Sequence, residues 1–477
     1  MFERFRKARQ DARERADLDQ LLDDCRQLLT ARGESNSIAI ATRALDNYRR
    51  LGAESRRGFF EVLARDYDPD PVKVLQLAQQ YADTRSPDAL IELSQISDPP
   101  RQALLRRLNL APGGTGTLVA MRTALLDRLR HDDSLRAVDA DFHHLLSSWF
   151  NPGFLQLVEV DWKSPAELLE KIIKHEAVHE IDGWPDLRRR LEPDRRCFAF
   201  FHPALPGEPL IFVEVALLAE MPAAIAPLLA RKTESQLDPD KFRVAAFYSI
   251  SNCQPGLRGV NLGNFLIKRV ADRLAGDLPK LRQFCTLSPI PGFSGWLARV
   301  ETLESKRVKP AVLAELRDGL ASLRERHGKD LSRLTSAIVG AAPGSEASAG
   351  EASSTEAAAV KASGNGASAA GDDSSNNGVP AKQIEADRRM LWRLCAFHLL
   401  HTAPGDARGS DPVARFHLNN GARLERINPA ADLSRKGLRQ SHGLMVNYLY
   451  DLGEIETNHQ KFVDGSVSAS RAVLSLL

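Results

Sequence analysis

Apolar positions recur at helical spacing through roughly the first 150 residues. Leu18, Leu21, Leu22, Cys25, Leu28 and Leu29 keep to one face until Gly33 ends the run. Phe59, Phe60 and Leu63 mark a short helix after Ser55 that stops at Asp68-Pro69-Asp70-Pro71, and Leu118, Met121, Leu125 and Leu129 form another stripe. Short Pro/Gly breaks between stripes favour antiparallel neighbours, so the pattern predicts a helical bundle over residues 1–150. Gly113-Gly114-Thr115-Gly116 has no strand before it and is expected to be a helix–helix loop rather than a phosphate site. At Asn151-Pro152-Gly153 the texture changes. Strand-like runs follow at Leu155 to Val160, Cys197 to Phe201, Leu210 to Ala216, Val244 to Ile250 and Phe284 to Leu287, with helical stretches between them. The fold class is therefore α+β, an all-helical first region followed by a mixed α/β region over 151–477. Residues 341–380 are Ala, Gly, Ser, Asn and acids with hardly any large apolar side chain, and are expected to be a disordered insert. Helical pattern resumes at Gln383.

The most informative stretch is Phe247 to Lys268, an apolar run, a glycine-bearing loop and an amphipathic helix carrying Leu262, Phe265, Leu266, Val270 and Leu274. Strand, glycine loop and helix N-terminus together make a phosphate-holding device, because backbone N–H groups converge where the helix dipole favours negative charge. Gln254-x-Gly256-x-x-Gly259 is neither the dinucleotide fingerprint nor a Walker loop. A pyrophosphate loop of the acyl-CoA-binding acetyltransferase type fits better, and an ordinary strand–turn–helix junction fits as well.

Phe284-Cys285-Thr286-Leu287-Ser288-Pro289-Ile290-Pro291-Gly292-Phe293 and Ala414-Arg415-Phe416-His417-Leu418-Asn419-Asn420-Gly421-Ala422 remove that ambiguity. With Arg195-Arg196-Cys197-Phe198, Pro206-Gly207-Glu208-Pro209-Leu210 and Gly443-Leu444-Met445-Val446-Asn447-Tyr448, they resemble the malonyl-CoA decarboxylase family, in order from about Leu155 to the C-terminus. The resemblance implies an acetyltransferase-like (GNAT-type) catalytic fold, with a V-shaped opening between neighbouring strands that admits the pantetheine arm. It implies malonyl-CoA as substrate, Ser288 handling the malonyl carboxylate as formal proton acceptor, and His417 as proton donor, a role suited to an imidazole titrating near neutrality. Arg258, Gly259, Val260, Asn261, Leu262, Gly263 and Asn264 would meet the CoA pyrophosphate, mostly through backbone N–H groups. The chemistry asks for no metal or organic cofactor, since the thioester carbonyl itself accepts the electrons released with CO2.

One competing motif is present. His175-Glu176-Ala177-Val178-His179 fits the zinc-hydrolase pattern H-E-x-x-H, and Leu168, Leu169, Ile172 and Ile173 before it support a helix. Gly183-Trp184-Pro185 must end that helix, and no later segment declares a third ligand. The other rivals are a CoA-dependent N-acyltransferase on the same fold and a helical scaffold with a vestigial loop.

Composition narrows the field further. The chain has 477 residues, 26% charged and 43% hydrophobic, with room for two or three buried cores. A net charge of +2 argues against nucleic acid or a membrane surface as a general partner. Arg188-Arg189-Arg190 and Arg195-Arg196, interleaved with Glu192 and Asp194, read as a solvated helix end. Five scattered cysteines (Cys25, Cys197, Cys253, Cys285, Cys395) argue against a disulfide framework or zinc ribbon and for small buried hydrophobes. The basic N-terminus is interleaved with Glu3, Asp11, Glu14 and Asp17 and lacks an apolar signal core, and Ser475-Leu476-Leu477 is not a peroxisomal address, so a cytoplasmic location is expected. Apolar stripes on the helical region predict a homo-oligomer.

Overall fold

The computed structural model describes residues 2–30, 36–230, 239–260, 262, 266–329, 331, 334–335, 381–402 and 410–477. The expected insert at 341–380 lies outside the described residues, as do Asn261, Gly263 and Asn264 of the expected CoA loop.

Helices occupy the first region: α1 (Phe2–Leu28), α2 (Ser37–Arg50), α3 (Ala53–Asp66), α4 (Pro71–Thr84), α5 (Pro87–Ser97), α6 (Pro100–Leu108), α7 (Gly114–Arg128) and α8 (Arg136–Trp149). Local chemistry sets several starts. Asp70 caps α4 by accepting from Val72 and Lys73 N–H, Ser86 caps α5 through Ala89 N–H, and a proline follows each cap. Leu21, Cys25, Leu45, Phe59, Phe60, Leu63, Leu104, Leu118 and Phe142 share one core, so the predicted stripes do face each other. The glycine run is not a separate loop. Gly113, at φ +68°, is the N-cap of α7, and the remainder forms its first turn.

The second region is built on one sheet: β1 (Gln156–Val160), β2 (Arg195–Phe201), β3 (Ile211–Leu218), β4 (Val244–Asn252), β5 (Gln283–Thr286), β6 (Ser288–Pro289), β7 (Arg423–Asn428) and β8 (Met445–Tyr450). The strand order is β1-β2-β3-β4-β5-β8-β6, with β7 pairing β8, and only β4 and β5 run parallel. The five strands read from the sequence are present, each within about two residues of its expected bounds. Around the sheet lie α9 (Ala166–His175), α10 (Gly183–Arg190), α11 (Ala226–Leu229), α12 (Leu266–Asp277), α13 (Phe293–Arg299), α14 (Pro310–His327), α15 (Ala381–His401), α16 (Pro412–Asn419), α17 (Arg435–Ser441), α18 (Ile455–Val463) and α19 (Arg471–Leu474). Leu266, Ile267, Val270 and Leu274 of α12 pack with Phe247, Phe284, Tyr448 and Tyr450 in the largest core.

One sequence expectation changes here and another holds. The arginine clusters are not a solvated helix end, because Arg189, Arg190 and Arg195 are buried. Arg189 and Arg195 pair with Asp194 (2.8 and 2.6 Å), while Arg190 pairs with Asp186 and with Glu214 of β3 (3.2 and 2.8 Å). Burial of a guanidinium holds only when carboxylates accompany it, and Glu214 comes from a strand that local sequence does not connect to the cluster. The cysteines meet their expectation. All five are buried and free, and burial pushes each thiol up, away from reactivity.

Candidate active site

Strand β4 hydrogen-bonds β5 only as far as Phe247↔Thr286, with Leu287 N–H donating to Phe247 O at 3.0 Å. There the chain leaves β4, and Ser288-Pro289 pairs instead with Val446 and Met445 of β8. Asn447 of β8 fixes the turn-off by donating to Thr286 O (2.8 Å), while Arg426 and Asn428 hold its own carbonyl oxygen. Among the described residues no strand pairs Tyr248 to Asn252 on that side, so β4 and β6 splay apart. The gap is a cavity of about 300 Å³ lined by Phe247, Tyr248, Ile250 and Asn252 of β4, by Ser288 and Pro289, and by Pro412, Val413, Phe416 and His417 of α16.

Ser288 and His417 meet there although 129 residues separate them. Ser288 Oγ lies 3.0 Å from His417 Nε2 and 2.9 Å from Thr286 Oγ1. His417 Nδ1 lies 2.8 Å from Tyr450 Oη, and the ring stacks on Tyr448 with centroids 4.6 Å apart. One proton arrangement satisfies the chain: Tyr450 Oη–H donates to Nδ1, Nε2–H donates to Ser288 Oγ, and the serine donates to Thr286 Oγ1. Both side chains are nearly buried, at 5% and 3% exposure. Burial alone drives the His417 pKa down to about 3, so the imidazole is neutral at physiological pH. The expected titration near neutrality is therefore replaced by a neutral Nε2–H donor, because among the described residues no carboxylate offsets the burial of the ring.

Asp411 sets the relative placement of the two residues. Its carboxylate caps α16 through Val413 and Ala414 N–H (2.9 Å each) and accepts from Gly292 N–H (2.8 Å) in the turn that follows Ser288. One side chain thus ties the serine turn to the histidine helix. Asp411, Thr286 and Tyr450 were not singled out from the sequence. Asp411-Pro412 ahead of an apolar run is a helix-start signal that marks the first. Nothing local marks Tyr450, whose role depends on a strand and a helix meeting.

The expected pyrophosphate loop leaves β4 as a single turn, Pro255–Leu257. Leu257, Arg258 and Val260 N–H groups are taken by bonds to Gln254, Pro255 and Leu257 carbonyls, which leaves Gly259 N–H without an acceptor among the described residues. Arg258 and Gly259 are exposed, whereas Val260 and Leu262 are buried in the main core. Of the described amides from Leu257 to Val260, only that of Gly259 is left to meet a phosphate.

A malonyl-CoA decarboxylase C-terminal domain family model matches residues 153–477, and a malonyl-CoA decarboxylase N-terminal domain model matches residues 67–150. The chain belongs to the malonyl-CoA decarboxylase family. The mitochondrial malonyl-CoA decarboxylase of Anser anser anser is 35% identical over 450 residues, covering 90% of this chain and 81% of that protein. That of Rattus norvegicus is 36% identical over 418 residues, covering 85% and 76%. Crystal structures of malonyl-CoA decarboxylase from Rhodopseudomonas palustris and Agrobacterium vitis superpose with TM-scores of 0.77 and 0.75, at 40% and 43% identity. Each covers 96% of this chain and 99% of the neighbour.

The zinc-hydrolase pattern fails on geometry in this family member. Helix α9 stops at His175, and Glu176 is extended (φ −66°, ψ 110°), so the two histidines do not share a helical face. The Glu176 carboxylate is used structurally, accepting from Val178 and His179 N–H (2.8 and 2.7 Å) and from Ser249 and Ser251 hydroxyls on β4. It folds the segment back so that Val178 forms part of the cleft wall. Among the described residues no three His, Cys, Asp or Glu side chains gather as a metal site. No described helix is long and apolar enough to cross a membrane.

Proposed function

We propose that this protein decarboxylates malonyl-CoA to acetyl-CoA and CO2 in the cleft between β4 and β6. The observation that supports this best is the 3.0 Å contact between Ser288 Oγ and His417 Nε2 at the cavity wall. The pantetheine arm enters between the splayed strands, in the manner of an acetyltransferase-like fold, and the nucleotide end lies toward Arg258 to Asn264. The Ser288 hydroxyl contacts the malonyl carboxylate. The bond between that carboxylate and the α-carbon breaks, CO2 departs, and the electron pair passes into the thioester enolate.

The Ser288 hydroxyl proton goes to the α-carbon and His417 Nε2–H replaces it. The unit charge that the carboxylate brought in then rests on the Tyr450–His417–Ser288 chain until a solvent proton restores it. Placing this chain in a dry cleft makes each hydrogen bond stronger than in water. Proton delivery of this kind contributes ~10²–10⁴ in rate. No cofactor enters the scheme, CoA being part of the substrate.

Self-association belongs to the same reading. Helix α4 buries no side chain, and Val72, Leu75, Leu90 and Ile91 of the α4–α5 hairpin are about half exposed or more. A second copy of the chain is the proposed cover for that apolar surface. Leu75→Glu with Ile91→Glu should shift the mass measured by light scattering toward the monomer. A cytoplasmic location completes the proposal.

Ser288→Ala and His417→Asn test the mechanism. Each should lower CO2 release from malonyl-CoA at least ~10²-fold while CoA affinity stays near wild type. Near-full activity in both variants would refute the assigned roles.

A further inference from the structure

The helical region reaches into the loop assigned to the nucleotide end of CoA. Arg122 of α7 is only 2% exposed, and its Nε pairs with Asp139 of α8 at 2.8 Å. Its Nη1 donates to the carbonyls of Gly256 and Arg258, each at 2.8 Å. His143 of α8 places Nε2 3.0 Å from Gly259 O, and since a carbonyl only accepts, Nε2 bears the proton there. The approach is tight. A Cβ on Gly256 would sit 2.0 Å from Val119 O of α7, and Gly259 adopts φ +83°, a conformation that glycine takes without strain.

Gly256, Arg258 and Gly259 thus turn their carbonyl oxygens toward α7 and α8. Carbonyl oxygens repel phosphate, whereas backbone N–H groups and nearby cations hold it. A guanidinium withdrawn from water needs a full set of acceptors, and two of those serving Arg122 are loop carbonyls rather than groups of its own region. The same contact that satisfies the arginine therefore fixes the orientation of the peptide groups around Gly259.

We infer that α7 and α8 are part of the substrate site, with Arg122 and His143 as positioning residues that hold the Gly256 to Gly259 turn in the orientation that receives phosphate. This rests on the assignment of the loop to the CoA nucleotide.

The test compares malonyl-CoA with malonyl-pantetheine, which has the reacting group but no nucleotide, in Arg122→Met and His143→Phe. For malonyl-CoA, KM should rise ~10-fold in Arg122→Met and ~3-fold in His143→Phe, with kcat within about twofold of wild type. The kcat/KM for malonyl-pantetheine should stay within about twofold in both. Equal losses with both thioesters would reduce the two residues to general structural support and overturn the inference, as would an unchanged KM for malonyl-CoA. If Arg122→Met fails to fold, the partly exposed His143 decides alone. A wild type that uses both thioesters with the same kcat/KM would instead sink the assignment of the loop itself.

Discussion

His417→Gln separates a histidine held neutral by burial from one that titrates normally. In the folded protein its pKa is pushed down to about 3 from 6.5 by desolvation alone. That depression corresponds to roughly 5 kcal/mol against charging the imidazole in place. The sign follows from proton counting. Between pH 6.5 and 3 the unfolded chain binds a proton at this residue that the folded chain refuses, so stability falls as pH falls through that window. Between pH 7 and 5 the loss from this residue amounts to about 2 kcal/mol. The glutamine variant lacks it, while other histidines held down by desolvation, among them His179 and His398 (each pushed to about 4), act equally in both proteins and cancel in the comparison. Urea unfolding at pH 7, 6 and 5 gives the measurement. Wild type should lose about 2 kcal/mol more than His417→Gln across that range. Parallel losses would mean that His417 takes up its proton inside the folded protein, and donation from a neutral Nε2–H would have to be abandoned.

Three further perturbations follow from the site. Tyr450→Phe leaves Nδ1 without its buried partner and, at ~1–3 kcal/mol, should lower kcat by about 10- to 100-fold with KM little changed, read by CO2 release. Asp411→Ala removes the acceptor for Gly292, Val413 and Ala414 N–H; it should cost about 1–3 kcal/mol of stability in urea and lower kcat more than KM. Glu176→Ala should weaken folding by at least ~2 kcal/mol, because buried Ser249 and Ser251 lose their acceptor, and metal analysis of the wild type should find no stoichiometric zinc.

Much of the architecture was legible because periodicity is a local property. Leu18 to Leu29, Leu118 to Leu129 and the five strand runs announce their own elements. Strand β8 has a local signal too, since Met445 to Tyr450 is an apolar and aromatic run bounded by Gly443 and Gly453. The limits appear where long-range partners decide. Leu168 to Ile173 do form a helix, but Glu176 turns its carboxylate onto the Val178 and His179 amides and onto β4, and the helix ends at His175. Arg190 looked solvated because Glu214, its buried partner, lies 24 positions away.

The site divides in the same way. Ser288 and His417 came from motif resemblance, since a Ser-Pro turn and a lone histidine between apolar residues are ordinary structural features. Their meeting depends on Asp411 reaching Gly292 and on β8 arriving beside β5, and although each element has a local signal, neither of those long-range contacts does. The depressed basicity of His417 was invisible for the same reason. It comes from packing against Tyr448 and Tyr450, not from any neighbour in sequence.

The central claim is tested most directly by incubating the purified protein with malonyl-CoA alone, without added metal or amine acceptor, and measuring CO2 and acetyl-CoA together. The account predicts that both appear in equal amounts with wild type and fall at least ~10²-fold with Ser288→Ala. Malonyl-CoA left intact until an amine or zinc is supplied would contradict it.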